Sequence, residues 1–359
     1  MPIKISLLMY KNEKIKIGLA VIAAIAAATC HVIELNSILV FVVAAISLSL
    51  LAMVVGKATE QLGTRMGPGA TGILQSALGN LPELFISIFA LQAGLNKVVQ
   101  AALIGSILGN SILVFGVALF VGGLKNGRQQ FKSEVPKMGA TLMILSLAAL
   151  AIPTLTSWLH TSAQAHLNSM DIYVAIVLLI LFVGSTYYSI SEGKKESAAA
   201  IKKSNSRWPL ALTLTVLVIA GIAAGFVSDW FVTALKPTMD SLGINDTFAG
   251  LVVVAIAGNA VENFVGVQLA YNDKPDYAVS VILNSSLQIA LGLFPILVLL
   301  SFVLGGAILS FVLSPMLLAC VALGVIVNTF VVFDGESIWL EGLALIGLYC
   351  LIASAFWWG

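Results

Sequence analysis

Charge, cysteine and histidine are all scarce in this chain. Charged residues make up only 10% of its 359 residues, where soluble domains carry about 25%. The three cysteines, Cys30, Cys320 and Cys350, lie far apart in apolar runs, and there are only three histidines. These absences exclude a disulfide framework and a Cys/His zinc cluster. The mean hydropathy of +1.04 indicates a polytopic membrane protein.

Eleven segments are apolar over about the 20 residues that a membrane span needs. They lie at 17–33, 37–56, 69–92, 97–121, 138–158, 171–190, 208–230, 247–271, 277–303, 308–332 and 337–358. The first could also be a signal peptide with a weak cleavage site at 26–28, but its apolar run is long for a signal core. The pattern therefore predicts an all-α integral membrane protein with eleven transmembrane helices.

The positions of Lys and Arg predict the orientation. With the N-terminus in the cytoplasm, 16 of the 18 basic residues fall in inner segments, and only Lys97 and Lys236 fall outside. This is the distribution that the positive-inside rule requires, so we expect a cytoplasmic N-terminus and an outer C-terminus. The polar segment 192–207 is then a solvated cytoplasmic linker between two halves, with contact to lipid headgroups as the alternative.

The two halves share a repeat that is offset by 179 residues. The offset pairs Gly79 with Gly258, Asn80 with Asn259, Glu83 with Glu262, Phe85 with Phe264, Ser106 with Ser285, Leu108 with Leu287 and Phe115 with Phe294. The paired spans are five apart, an odd number, so the two copies cross the membrane in opposite directions. Inverted repeats of this kind are typical of secondary transporters.

Each copy of the repeat places one carboxylate inside an apolar run. Glu83 is the only ionisable residue in 67–92, and Glu262 is the only one between Thr247 and Tyr271. A carboxylate at the centre of a membrane helix costs about 3 kcal/mol on insertion scales. Neutral Ser or Asn would hold helices together at less cost, so we interpret the pair as a cation and proton site.

The neighbouring residues suit a hard cation. Asn80 and Asn259 precede the two carboxylates by three positions, which is one helix face. Two carboxylates, two amide oxygens and a few backbone carbonyls or waters reach the 6–8 oxygen ligands, roughly, that Ca²⁺ takes. Further candidates, either as direct ligands or only as helix-packing residues, are Ser106, Asn110, Ser285 and Gln288. Gly79 and Gly258 are expected to let a neighbouring helix come close. Glu60 is either part of an inner vestibule or a surface charge.

Paired carboxylates also predict coupling to protons. Two carboxylates in a poorly solvated site repel each other, so at least one holds its proton more tightly than in water. A divalent cation then displaces protons, and protons expel the cation. We therefore predict that Glu83 and Glu262 form one shared site that cation and protons load in turn, as an antiporter requires.

At these residues the chain resembles the calcium/cation–proton exchanger family, a branch of the calcium/cation antiporter superfamily. The matching segments are Gly-Asn-Leu-Pro-Glu at 79–83, Gly-Asn-Ala-Val-Glu at 258–262, and the segments 56–62, 65–68, 284–290 and 334–342. The resemblance implies export of cytosolic Ca²⁺ in exchange for H⁺, with Glu83 and Glu262 as central ligands. It also implies a lead helix in 1–34, a first five-helix repeat in 35–191, the linker 192–207 and a second five-helix repeat in 208–359.

Several alternatives stay open at this point. A Na⁺-driven Ca²⁺ exchanger would also use paired acidic repeats, and the site chemistry admits a monovalent cation/H⁺ antiporter. A passive channel is disfavoured by titratable sites in inverted halves, and no nucleophile–base or metal constellation of an enzyme is apparent. We expect no resident cofactor, no nucleic-acid partner and a bacterial cell membrane as the location. The ion stoichiometry and the oligomeric state, a homo-oligomer included, stay open.

Overall fold

The computed structural model describes residues 11–63, 65, 78–131, 134–197 and 208–358, with the side chains of 11, 134–136, 189–197 and 260–262 left out. The helices are α1 (Lys11–Val32), α2 (Ser37–Gly63), α3 (Leu81–Gln92), α4 (Asn96–Leu108), α5 (Phe115–Asn126), α6 (Glu134–Trp158), α7 (Leu167–Ser197), α8 (Leu210–Leu242), α9 (Asp246–Phe248), α10 (Ala255–Gly258), α11 (Ala260–Tyr271), α12 (Pro275–Gln288), α13 (Phe294–Leu304), α14 (Pro315–Phe333) and α15 (Trp339–Trp358). A 3₁₀ helix, Ser162–His166, precedes α7.

The described part of the chain is nearly all helical and rich in apolar spans. Nine of its helices are long and apolar enough to cross a membrane, and a tenth span is formed if the bent pair Asp246–Gly258 and Asn263–Tyr271 crosses once. The predicted third span, 69–92, lies largely outside the described residues, which resume with Leu78 and the short apolar helix α3. The multi-pass helical class is thus confirmed, while the count of eleven remains a prediction.

One predicted span begins at the wrong place. The sequence predicts a tenth span from residue 308, but the helix starts at Pro315, where the hydroxyl of Ser314 accepts a hydrogen bond from Leu317 N at 3.3 Å. Residues 305–314, here named the strap, are not helical. Leu309, Phe311 and Leu313 alternate along it with more exposed neighbours and are 0–1% exposed. Apolarity alone did not distinguish such an alternating extended segment from a helix end.

The chain divides into two compact units. The first, residues 1–89 and 183–243, contains α1, α2 and α8 and the larger part of α3. Phe41 of α2 stacks on Phe231 of α8 with ring centroids 4.5 Å apart, and both rings are buried. At one end of this unit, the indole N–H of Trp208 donates to Glu13 at 3.3 Å, so the segment before α8 is fixed to α1.

The second unit, residues 90–182 and 244–359, is held by close backbone contacts. A Cβ atom on Gly105 of α4 would lie 2.1 Å from the carbonyl oxygen of Leu251, and one on Gly250 would lie 2.3 Å from that of Val98. These reciprocal glycines let two helical segments touch backbone to backbone. The sequence analysis did not single out Gly250, because one glycine in an apolar run carries no signal of its own.

Three segments of the second unit are π-helical. They are Gly109–Val114 between α4 and α5, Ala249–Val254 between α9 and α10, and Ile289–Leu293 between α12 and α13. π-Helical turns are rare and concentrate at functional sites. Hydropathy gave no sign of them, since an i→i+5 bond pattern does not change which residues are apolar.

A two-residue ladder joins two helix ends of the same unit. Strand β1 (Gln129–Gln130) pairs antiparallel with β2 (Glu336–Ser337), with Gln129 opposite Ser337. Beside it, Arg128 Nη1 lies 2.7 Å from Glu336 Oε1. The ladder ties the segment after α5 to the segment after α14.

Candidate functional site

The second Gly-Asn-x-x-Glu motif lies at a bend between two helices. Asn259 joins α10 to α11 with φ −99° and ψ 15°, outside the helical range, and the flanking segments are inclined by 62°. The carbonyl of Asn259 nevertheless accepts from Asn263 N at 3.1 Å, so α11 starts directly at the motif. A helix broken at membrane depth exposes backbone groups that can line an ion site. Val261 stands where the first copy has Pro82, so this bend forms without a proline.

The first motif has the same backbone pattern. Asn80 directly precedes α3, and its carbonyl accepts from Leu84 N at 2.9 Å. The 179-residue offset carries this hydrogen bond onto that of Asn259 and Asn263. Asn80 and Glu83 are buried, with 7% and 8% of their surfaces exposed. A carboxylate as buried as Glu83 in an apolar segment requires a proton, a cation or polar partners.

Four buried polar residues of the second unit form one hydrogen-bond network. Asn110 Nδ2 donates to Asn259 Oδ1 and to Ser285 Oγ, each at 2.9 Å. Asn259 Nδ2 in turn donates to Ser106 Oγ at 2.7 Å and to Ala255 O at 2.9 Å. All four residues are between 1% and 5% exposed. The network fixes the orientation of the Asn259 amide and leaves one lone pair of its Oδ1 for a further donor or a cation.

The network unites residues that the sequence analysis singled out separately. Ser106, Asn110 and Ser285 were candidates either as ligands or as helix-packing residues, and all three are joined to Asn259. The proposed ligand Glu262 belongs to α11, with its side chain outside the described residues. Asn263 is a residue that the sequence analysis missed: its Oδ1 is buried and, among the described residues, has no hydrogen-bond partner.

The remaining candidates lie apart from this network or at its margin. Gln288, at the end of α12, is half-buried. The Glu60 side chain is 61% exposed and lies 2.9 Å from Lys57 Nζ, an arrangement that fits either an inner vestibule or a surface charge. A Cβ on Gly79 would meet no atom of the described residues within 4 Å, so the close helix approach expected there is not found among them.

The donor set is one of hard oxygens. In the part of the chain that the structure describes, no group of three or more His, Cys, Asp or Glu side chains is arranged to hold a metal ion. The network supplies amide and hydroxyl oxygens, the neutral ligands that Ca²⁺ takes beside carboxylates. Long apolar helices around a buried polar centre define a multi-pass membrane protein.

Comparisons with known proteins place this membrane protein in a family. The family model described as "Sodium/calcium exchanger protein" matches residues 36–191 and 212–358. A Ca²⁺/H⁺ antiporter of Aphanothece halophytica is 33% identical, over 91% of this chain and 92% of its own length. The Ca²⁺/H⁺ antiporter ChaA of Bacillus subtilis is 32% identical, over 89% and 92%. The solved structure of native YfkE superposes with a TM-score of 0.82 at 29% identity, covering 96% of this chain and all of that one.

The chain therefore belongs to the sodium/calcium exchanger protein family. The resemblance to the calcium/cation–proton exchangers, recognised from the paired motifs, is confirmed. A crystal structure titled "H+/Ca2+ Exchanger CAX" superposes with a TM-score of 0.76 at 13% identity, and so supports the shared fold alone.

Proposed function

We propose that this protein exchanges Ca²⁺ for H⁺ across a membrane. The observation that carries the proposal is its full-length similarity to proteins named Ca²⁺/H⁺ antiporters, at 32–33% identity over about nine tenths of each chain. The buried amide and hydroxyl oxygens around Asn259 suit the neutral part of a Ca²⁺ ligand set. Export of cytosolic Ca²⁺ against entering protons is the direction that we propose.

The ligands that we propose are the two motif carboxylates and their companions. Glu83 and Glu262 supply charge, and Asn80 and Asn259 supply amide oxygens. The burial of Glu83 and Asn80 supports a role inside the membrane, as does the hydrogen-bonded amide of Asn259. Ser106 and Asn110 hold that amide, Ser285 accepts a hydrogen bond from Asn110, and Gln288 lies at the margin. That Glu83 and Glu262 share one site remains a prediction.

Coupling follows from competition at these carboxylates. An oxygen that carries a proton is a poor calcium ligand, whereas an ionised carboxylate without a cation is costly in an apolar segment. The protein therefore carries either the cation or the protons as it alternates between its two sides. Two carboxylates make two protons per Ca²⁺ the natural ratio.

We further propose the inverted five-helix repeats, the lead helix and the cytoplasmic N-terminus. Three observations support the repeat. The motif hydrogen bonds at Asn80 and Asn259 are equivalent under the 179-residue offset. The same offset carries 110–114, in the first of the π-helical segments, onto Ile289–Leu293. The family model also matches two stretches of similar length, close to the predicted boundaries at 35–191 and 208–359.

Calcium flux into proteoliposomes under an imposed pH gradient, without sodium, tests the function. We expect uptake by the wild type that collapses in Glu83→Gln and in Glu262→Gln, because each variant keeps the shape of the side chain but cannot be charged. Asp240→Asn is the matched control, since the Asp240 side chain is 64% exposed and lies 3.2 Å from Lys236 Nζ near the end of α8, and it should transport normally.

Other outcomes would overturn the proposal. Calcium flux that needs sodium would assign the chain to the Na⁺-driven exchangers. Flux of K⁺ or Na⁺ against protons, without calcium flux, would identify a monovalent cation/H⁺ antiporter.

A further inference from the structure

A buried carboxylate lies outside the motifs. Asp171, in the first turns of α7, is 0% exposed. Its Oδ1 accepts a hydrogen bond from Phe311 N at 3.1 Å, and the carboxyl group also interacts with the side chain of Ser310. Its Oδ2 is also buried and, within the described residues, has no hydrogen-bond partner. Oδ1 of this carboxyl group is thus hydrogen-bonded to the strap, whereas Oδ2 has no hydrogen-bond donor among the described residues.

The elements around Asp171 offer no compensating charge. The strap has no titratable residue, and neither do 138–158 of α6 nor 289–304, which end at the strap. The nearest titratable groups along the chain, His166 at the end of the preceding 3₁₀ helix and Tyr173 on α7, are exposed, and so is Lys97 at the start of α4. An ionised carboxylate that is buried without a cation costs several kcal/mol, roughly, whereas the neutral acid leaves only an unpaired hydroxyl.

The strap depends on side chains for its backbone hydrogen bonds. Gln100 Nε2 donates to Ser310 O at 2.6 Å and to Val312 O at 3.1 Å. Thr154 Oγ1 donates to Phe311 O at 3.1 Å and accepts from Leu313 N at 3.1 Å. A non-helical segment needs such partners because its own groups do not pair with one another. Of the side chains Gln100, Thr154 and Asp171, which all bond to the strap backbone in this way, only Asp171 can change its charge.

We propose that Asp171 is a proton-binding site separate from the motif carboxylates, which holds the strap closed when protonated and releases it when ionised. Opening the strap brings water to the carboxylate, so the ionised form favours the open arrangement. Closure is then complete at low pH and is lost as the pH rises. The ligand of this site is a proton, and the site does not rest on the proposed calcium exchange.

Spin-label mobility on the strap tests the proposal in the full-length protein in lipid nanodiscs, with Cys30, Cys320 and Cys350 replaced by Ser. The label is attached at Ala307→Cys, an exposed strap position, and in a reference sample at Ser241→Cys, exposed on α8. We expect an immobile strap label at low pH, with the mobile-to-immobile ratio rising about tenfold per pH unit through the transition. The reference label should not respond.

Three variants separate titration from simple loss of contacts. Asp171→Asn keeps an oxygen for Phe311 N but cannot ionise, so the strap label should stay immobile at every pH. Asp171→Ala should be mobile even at low pH. Thr154→Val removes strap hydrogen bonds without touching the carboxyl group, so its baseline mobility should rise while the pH response persists. A wild-type pH response that survives in Asp171→Asn would overturn the proposal, and so would a wild-type strap label that ignores pH.

Discussion

The hydroxyl of Ser286 lies 3.4 Å from the carbonyl oxygen of Ile107, and these two residues are separated by the 179 positions of the proposed repeat. Equivalent residues of two related copies meet only near the axis that relates them. The contact therefore identifies the crossing of α4 and α12 as the centre of the proposed symmetry in the second unit. Ser106 and Ser285, one position earlier in each copy, belong to the hydrogen-bond network around Asn259.

Asn110→Ala should weaken calcium binding. The substitution removes the donor to Asn259 Oδ1 and Ser285 Oγ, so the amide of Asn259 is held through its nitrogen alone. Leaving buried polar atoms unpaired costs about 1–3 kcal/mol, which corresponds to an increase of about five- to 150-fold in the half-saturating calcium concentration. Calcium-dependent flux in proteoliposomes measures the change.

Ser111→Ala is the matched control for this variant. Ser111 is buried on the same π-helical segment, but its hydroxyl donates to Ile107 O at 2.6 Å within its own helix. The control should keep the wild-type calcium dependence. A folded Asn110→Ala protein with unchanged calcium dependence would refute a role for the network.

Gly105→Ala should destabilise the second unit, whereas Gly109→Ala should not. The new Cβ at Gly105 would lie 2.1 Å from Leu251 O, while one at Gly109 would meet nothing within 4 Å. Overpacking of this kind costs about 1–3 kcal/mol. The loss of stability is measured as the temperature at which half of the monodisperse gel-filtration peak in detergent is lost. Equal temperatures for the two variants would contradict the contact.

Calcium affinity should rise with pH if the motif carboxylates bind both ions. At low pH the protonated carboxyls exclude the cation. As the pH rises, protons leave and the dissociation constant for Ca²⁺ falls, by as much as about 100-fold per pH unit where two protons are released together. Radioactive calcium binding to detergent-solubilised protein, from about pH 5 to about pH 8, spans the range in which perturbed carboxylates titrate. Glu262→Gln should halve the logarithmic slope, and a pH-independent affinity would exclude the competition.

The proposed orientation places Arg128 inside and Lys236 outside. Both side chains are exposed, at 60% and 53%, so a cysteine at either position should be accessible to reagent. In intact cells, a membrane-impermeant thiol reagent should label Lys236→Cys but not Arg128→Cys. Arg128→Cys should be labelled only after the membrane is permeabilised. Labelling of both, or of Arg128→Cys alone, would reverse the topology argued from the charges.

Hydropathy located most spans but not their ends. The predicted span 97–121 is a helical stretch from Asn96 to Asn126, and the predicted span 208–230 is a helix that continues to Leu242. These helices extend beyond the predicted apolar segments because backbone hydrogen bonding continues where the side chains become polar. At 308–314 the error is the opposite one: the sequence predicts part of a membrane-spanning helix, but these apolar residues belong to the strap and are not helical.

The motif carboxylates were conspicuous in the sequence, and their surroundings were not. Asn110 meets Asn259 across 149 residues of chain, a pairing that local patterns do not contain. The sequence contains no proline at Asn259 that would have predicted the bend there. Asp171 could have been found, since it is the only carboxylate in the predicted span 171–190, but its place at the edge of that span made it look like an ordinary helix end.

The π-helical segments bear on the evolutionary origin of the two proposed repeats. A π-turn accommodates one residue more than an α-helical turn, which is the geometry that a single-residue insertion into a helix produces. Residues 110–114 and 289–293 occupy equivalent positions in the proposed repeats. An insertion shared by both copies would predate the duplication from which the proposed repeat arose.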